Sequence, residues 1–182
     1  MELFIYTFLF IIIFFGILGI IYLTFYNQMK NFLMRINEAE LIIDESLRNR
    51  YDLIIRADNI FDKSIEINLD IIEEIKKTKN QKISSFDFDR KTIECIDLIK
   101  QIKKDFQSLD NNQSFKEIMQ EIKNGEEKID AAKSFYNKYT SSLNTLISKF
   151  PSNIIAKIHT IKLKNFFDDK DLHDDIFDDF KI

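Results

Sequence analysis

The residues of this chain that could act on another molecule are few: two histidines (His159 and His173), one cysteine (Cys95), an arginine among apolar neighbours (Arg50) and seven aspartates near the C-terminus. Hydrolysis or proton transfer needs titratable groups at fixed spacing, and none of the familiar spacings occurs. There is no HExxH, no GxSxG, no glycine-rich phosphate loop and no cysteine pair. His173 with Asp174 and Asp175 offers metal-ligand atoms but lacks the glycine spacing of a calcium loop. The expectation is a protein that is not an enzyme and carries no metal or cofactor. Cys95 has no second cysteine to pair with, and with Ile93, Ile96 and Ile99 around it reads as a small core residue.

Arg50 is the exception worth following. From Ile36, apolar residues recur at Ala39, Ile43, Leu47, Ile54, Ala57 and Phe61, and Arg50 occupies a position on that stripe. A charge there must snorkel or find hydrogen-bond acceptors. The preferred reading is a buried arginine that fixes the register of packed helices, ahead of an anion-binding site. Glu126, Glu127, Asp130 and Asn137 are the acceptors expected on the facing helix. Its neighbours Asp44, Arg48 and Asp52 are spaced by four, which predicts a solvated ladder of helical ion pairs worth about 0.3–0.5 kcal/mol each.

The elements that must position these residues begin with an uncharged apolar run over residues 3–26. A bilayer core needs about 20 helical residues, so this run is long enough to span it with some tilt. Glu2 precedes it and no small-residue cleavage site follows, which predicts an uncleaved anchor rather than a signal peptide. Tyr6, Tyr22 and Tyr26 stand where interfacial aromatics often do. No Lys or Arg precedes the run, whereas Lys30 and Arg35 follow it, so the N-terminus is expected outside and the remainder in the cytoplasm.

After the anchor the pattern is helical throughout. The first stripe continues through Ile65, Leu69, Ile72 and Ile75, and fades among Lys76, Lys77 and Lys79, where cations suit a helix C-terminus. Ser84 or Ser85 can cap a second helix carrying Cys95, Ile99, Ile102, Phe106 and Leu109. Asp110, Asn111 and Asn112 predict a turn. A third stripe runs from Phe115 through Ile118, Ile122, Gly125, Ile129, Ala132, Tyr136, Tyr139, Leu143 and Leu146 to Phe150, at alternating spacings of three and four and broken only by Gly125. Such a repeat calls for packing against neighbouring helices, and a homo-oligomeric coiled coil is the rival arrangement. Pro151 stops this helix; Ser152 and Asn153 can cap a short fourth one, with Ile154, Ile155, Ile158 and Ile161 to bury. With only 3 Gly and 1 Pro, the fold class is all-α: an N-terminal transmembrane helix followed by an antiparallel up-and-down bundle of three long helices and a short fourth.

Charge narrows the partners. Interspersed 26 basic and 30 acidic residues leave no basic field for a nucleic-acid backbone, so the expected partners are the lipid bilayer and other proteins, with self-association open. The acidic end is read as a solvated tail; Leu172, Ile176 and Phe180, spaced by four, could instead form a one-sided helix on a partner's groove. Lys157, Lys162 and Lys164, beside Phe166 and Phe167, could touch anionic lipid.

Two stretches resemble the LemA family of bacterial membrane proteins. One is Leu47, Arg50, Tyr51, Asp52, Leu53 and Ile54; the longer runs from Gly125 and Glu126 through Ile129, Ala131, Ala132, Lys133, Phe135, Tyr136 and Asn137 to Asn144, then residues 150–156. The resemblance implies a single-span protein with a cytoplasmic helical bundle, and it brings no catalytic residues. Ile55 and Arg56 replace a Pro-Asn pair usual in that family, and Lys157, Thr160, Leu163 and Asn165 stand where it tends to place glycines and prolines, so a more helical tail is expected here. The organisation read from the sequence is an anchor over residues 1–27, a bundle over 28–167 and an acidic tail over 168–182. Its expected role is that of a non-catalytic interaction or scaffolding module, the alternative being a sensory or lipid- or ligand-binding one.

Overall fold

The computed structural model describes residues 1–64, 70–78 and 84–167, and all regular structure among them is helical. The helices are α1 (Glu2–Ser64), α2 (Asp70–Thr78), α3 (Ser85–Asp105), α4 (Gln113–Ser148) and α5 (Ser152–Ile158), with one 3-10 turn at Gln107–Asn111. The fold is therefore a long apolar N-terminal helix followed by a helical bundle. α1 runs through Ile55 and Arg56 without interruption, neither residue lacking the amide that a helix needs.

Local chemistry sets the boundaries. Ser84 caps α3, its hydroxyl accepting the amide of Asp87 at 3.2 Å and donating to the Asp87 carboxylate at 2.6 Å. The Asn112 side chain accepts the Phe115 amide at 3.1 Å and so opens α4. At the other end of α4 the expectation needs correcting: Ser152 does not cap α5, whose N-cap is Pro151. Its buried hydroxyl instead donates to the carbonyls of Leu146 (2.5 Å) and Lys149 (2.8 Å), supplying a partner that the last turn of a helix lacks. The first stripe reads as one helix to Ile75; Glu2–Ser64 and Asp70–Thr78 are helical, and residues 65–69 between them lie outside the described residues.

The chain forms two compact units. The first joins Met1–Glu38 to Phe135–Phe166. In it, α1 and α4 run antiparallel, with the Phe32 and Tyr139 rings 6.0 Å apart, and Met29, Ile36, Leu143, Ile155 and Ala156 are buried. α5 ends in a Schellman motif: Ile161 donates to the Ala156 carbonyl (2.9 Å) and Thr160 to that of Lys157 (3.2 Å). Thr160 takes the left-handed conformation at φ 53 that this motif requires. Residues 161–166 then return along α4 without helical structure, contrary to the more helical tail expected. Asn144 holds them by accepting the Lys164 amide (2.9 Å) and donating to its carbonyl (2.8 Å), and the Tyr136 hydroxyl donates to the Asn165 carbonyl at 3.0 Å.

The second unit contains Ala39–Ser134 and Phe167. Its core draws Ile54 and Phe61 from α1, Ile72 and Ile75 from α2, Cys95, Ile96 and Ile99 from α3, and Phe115 and Ile118 from α4. Each of the larger side chains contributes about 1.5–3 kcal/mol by leaving water. Asp58, itself buried, is matched by Lys76 of α2 at 2.9 Å.

Candidate functional site

The charges inside the second unit are the place to look for function. On α1, Arg50 lies between Leu47 and Ile54 on the inward stripe and is only 5% exposed. On α3, Asp89 and Thr92 continue the buried line of Ile96 and Ile99 back toward the capped end. On α4, Lys133 follows buried Ala132 and is also buried. These three helices bring the groups together. Arg50 Nη1 donates to Asp89 Oδ1 at 2.7 Å and to Thr92 Oγ1 at 3.2 Å. Lys133 Nζ lies 2.7 Å from the other oxygen, Oδ2. Thr92 donates to the Asp89 carbonyl at 2.8 Å, and Phe167 lays its ring 5.4 Å from the lysine nitrogen while stacking on Phe86.

One carboxylate is thus clamped between two cations, with one oxygen for each. Both oxygens of Asp89 are therefore occupied by partners from the protein itself. The arrangement ties three helices at one level. A groove of about 530 Å³ opens beside it, lined by Asp44, Leu47, Arg48, Tyr51, Asp52, Ser85 and Phe88. Arg50 is not in that lining, so its guanidinium faces Asp89 rather than a ligand space.

The acceptors expected for Arg50 are not the ones used. Asp89 and Thr92 of α3 hold it, while Glu126 pairs with Lys100 at 2.8 Å and Glu127 and Asp130 are exposed. The ladder of Asp44, Arg48 and Asp52 also fails to form: Arg48 and Asp52 are exposed without an ion pair among the described residues, and Asp44 accepts the Ser85 hydroxyl at 2.6 Å. Sequence reasoning missed Asp89 and Lys133, although the signal that marked Arg50 marks them too. Asp89 lies three residues before Thr92 and seven before Ile96, and Lys133 four after Ile129 and three before Tyr136.

Other singled-out residues are scattered. Cys95 is buried among core isoleucines, and burial pushes its thiol up to about 11. His159 lies in the first unit, its Nε2 2.5 Å from the Tyr22 hydroxyl and its ring 4.4 Å from that of Tyr26. His173 and the tail residues Leu172, Ile176 and Phe180 fall outside the described residues.

A helical bundle tied by a buried charge cluster and preceded by an apolar helix defines an all-α class. Comparison with known families gives the particular membership: the LemA family model matches residues 39–175, and the chain belongs to that family. No curated protein matches it. The match covers Arg50, Asp89 and Lys133 together with the α4 residues that hold the returning chain.

Proposed function

We propose that this protein is a non-catalytic, single-pass membrane protein whose helical bundle serves as an interaction or scaffolding module at the cytoplasmic face. The observation that carries the anchoring part is the state of the first turns of α1. This stretch is long and apolar enough to cross a membrane, and it is not packed inside the protein: from Leu3 to Leu23 its large apolar side chains stand exposed, apart from half-buried Tyr22. Such a surface is stable in lipid and unstable in water. The cytoplasmic assignment rests on Lys30 and Arg35 following the stretch, with no basic side chain before it. The non-catalytic assignment rests on the engagement of the buried charges with one another.

The partner is sought directly. Proximity labelling from the C-terminus of the full chain in native membranes should enrich a small, reproducible set of cytoplasmic or membrane proteins, and enrichment no different from that of an unrelated single-span control would remove the scaffolding reading. A second reading, a ligand-binding module, is favoured by the groove beside Arg50, whose Tyr51, Phe88 and Leu47 walls and charged rim suit a small amphipathic molecule. Substituting Tyr51 and Phe88 would then abolish ligand-dependent stabilisation without changing membrane attachment.

A further inference from the structure

The short helix α5 buries less than its sequence offers. Ile155 and Ala156 pack inward, but Ile154 and Ile158, one turn apart on α5, are 51% and 64% exposed, as are Phe150 in the turn before the helix (79%) and Leu163 beyond it (64%). The expectation that Ile154 and Ile158 belong to a core is thereby corrected. A contiguous apolar stripe facing water is costly and marks a contact surface.

Two further observations say what covers it. The first is position. His159, one residue beyond α5, touches Tyr22 and Tyr26 at the end of the apolar stretch of α1. The antiparallel register agrees: Phe32 meets Tyr139, and the end of α4 at Ser148 lies nine residues further, about 13 Å along the axis, at the level of Leu23. The stripe therefore sits where an α1 spanning segment would leave the hydrocarbon. The second observation is charge. Residues 131–167 contain six lysines and no acidic residue, in a chain whose net charge is -4. Lys149, Lys157 and Lys162 flank the stripe, exposed and without an ion pair among the described residues.

We infer that the α4–α5 corner is a second membrane contact, with Phe150, Ile154 and Ile158 entering the boundary between headgroups and acyl chains and the flanking lysines on anionic headgroups. The inference rests on the proposed anchor, because it takes its depth from that span. An apolar face with a basic rim is the arrangement by which helices lie in an interface, immersed by about 5–10 Å. Basic side chains at such a surface are drawn to anionic lipid. The first unit is thereby held at the membrane at two points, the span and the α4–α5 corner.

The test uses the full chain in phosphatidylcholine–phosphatidylglycerol vesicles, spin-labelled in turn at Ile154→Cys, Ile158→Cys, Ile12→Cys and Gln120→Cys; native Cys95 is buried and stays unlabelled. Collision with oxygen, which concentrates in lipid, is compared with collision with a water-soluble nickel chelate. Labels at 154 and 158 should give an oxygen-to-nickel ratio about tenfold above that at 120, approaching that at 12. If 12 is in lipid while 154 and 158 match 120, the corner is in water: the inference fails and the anchor stands. If 12 itself is aqueous, the anchor fails and takes the inference with it. Labels at 154 and 158 shielded from both reagents would report a protein cover and overturn the lipid assignment.

Discussion

Arg50, Asp89 and Lys133 form a cluster whose members are not equivalent, because the charge left behind differs for each. Removing Asp89 leaves two buried cations facing one another, whereas removing Arg50 or Lys133 leaves a neutral pair. Asp89→Ala should therefore cost about 3–5 kcal/mol, and Arg50→Ala or Lys133→Met about 1–3 kcal/mol, against at most about 1 for exposed Arg48→Ala. Thermal unfolding of the four variants checks the order, and equal loss from Asp89→Ala and Arg48→Ala would remove the cluster from the account. Arg50→Met, which keeps apolar bulk, should recover part of the Arg50→Ala loss. Burial raises the Cys95 thiol to about 11, so it stays protonated near neutrality. It should resist maleimide in the folded chain and react once unfolded. The sequence made Arg50 legible because a charge on an apolar stripe is conspicuous. It did not name the acceptor, because the stripes of α1 and α4 say nothing about which face of α3 enters between them.

Among the elements, boundaries with a chemical cause were the legible ones. Ser84, Asn112 and Pro151 mark helix ends because a cap or a missing amide acts locally. Apolar spacing carries through residues 61–75 without Gly or Pro, and the described parts of that stretch, in α1 and α2, are helical as the spacing requires. The end of α5 shows local strain. Thr160 is β-branched yet sits at φ 53, and Thr160→Gly should raise stability by about 0.5–1 kcal/mol. A lower melting temperature for that variant would contradict the assignment of strain. α2 carries ion pairs beside its core contacts. A hydrogen bond from Lys76 pulls the Glu73 carboxyl below its usual 4.5, and one from Lys91 does the same for Glu74. Groups lowered on folding stabilise above their usual value, and that contribution disappears as pH falls through the lowered one. Lys76, raised chiefly by hydrogen bonds to Glu73 and then Asp58, has the opposite sign: its contribution is present below the ordinary lysine value of 10.5 and is lost only as pH rises through the higher one. Amide exchange in Asp70–Thr78, corrected for its intrinsic pH dependence, should therefore show less protection near pH 3 than near pH 6. Unchanged protection would mean that apolar packing of Ile72 and Ile75 alone holds this helix.

For the whole molecule, the class of fold was legible in the sequence, since a long apolar run and three-four periodicity over most of the chain admit few other arrangements, and the family was legible in the residues around Arg50 and in the stretch 125–156 that resemble it. Two features of molecular scale were not. The charge of the first unit is distributed over residues far apart in sequence, Lys30 and Arg35 on one side and Lys149, Lys157 and Lys162 on the other, and only folding brings them beside one span end. The exposure of Ile154 and Ile158 likewise depends on how much of α5 its neighbours can cover. The proposed orientation predicts that a cysteine added at the C-terminus reacts with a membrane-impermeant maleimide only after the cell is opened, and labelling of intact cells would reverse it. Everything at this scale depends on the exposed apolar half of α1 lying in a bilayer. Washing membranes that contain the full-length chain with alkaline carbonate tests this most directly, because peripheral proteins are released while spanning helices remain. The account predicts the intact, uncleaved chain in the membrane pellet; its release into the wash, or recovery of a chain lacking the apolar segment, would contradict it.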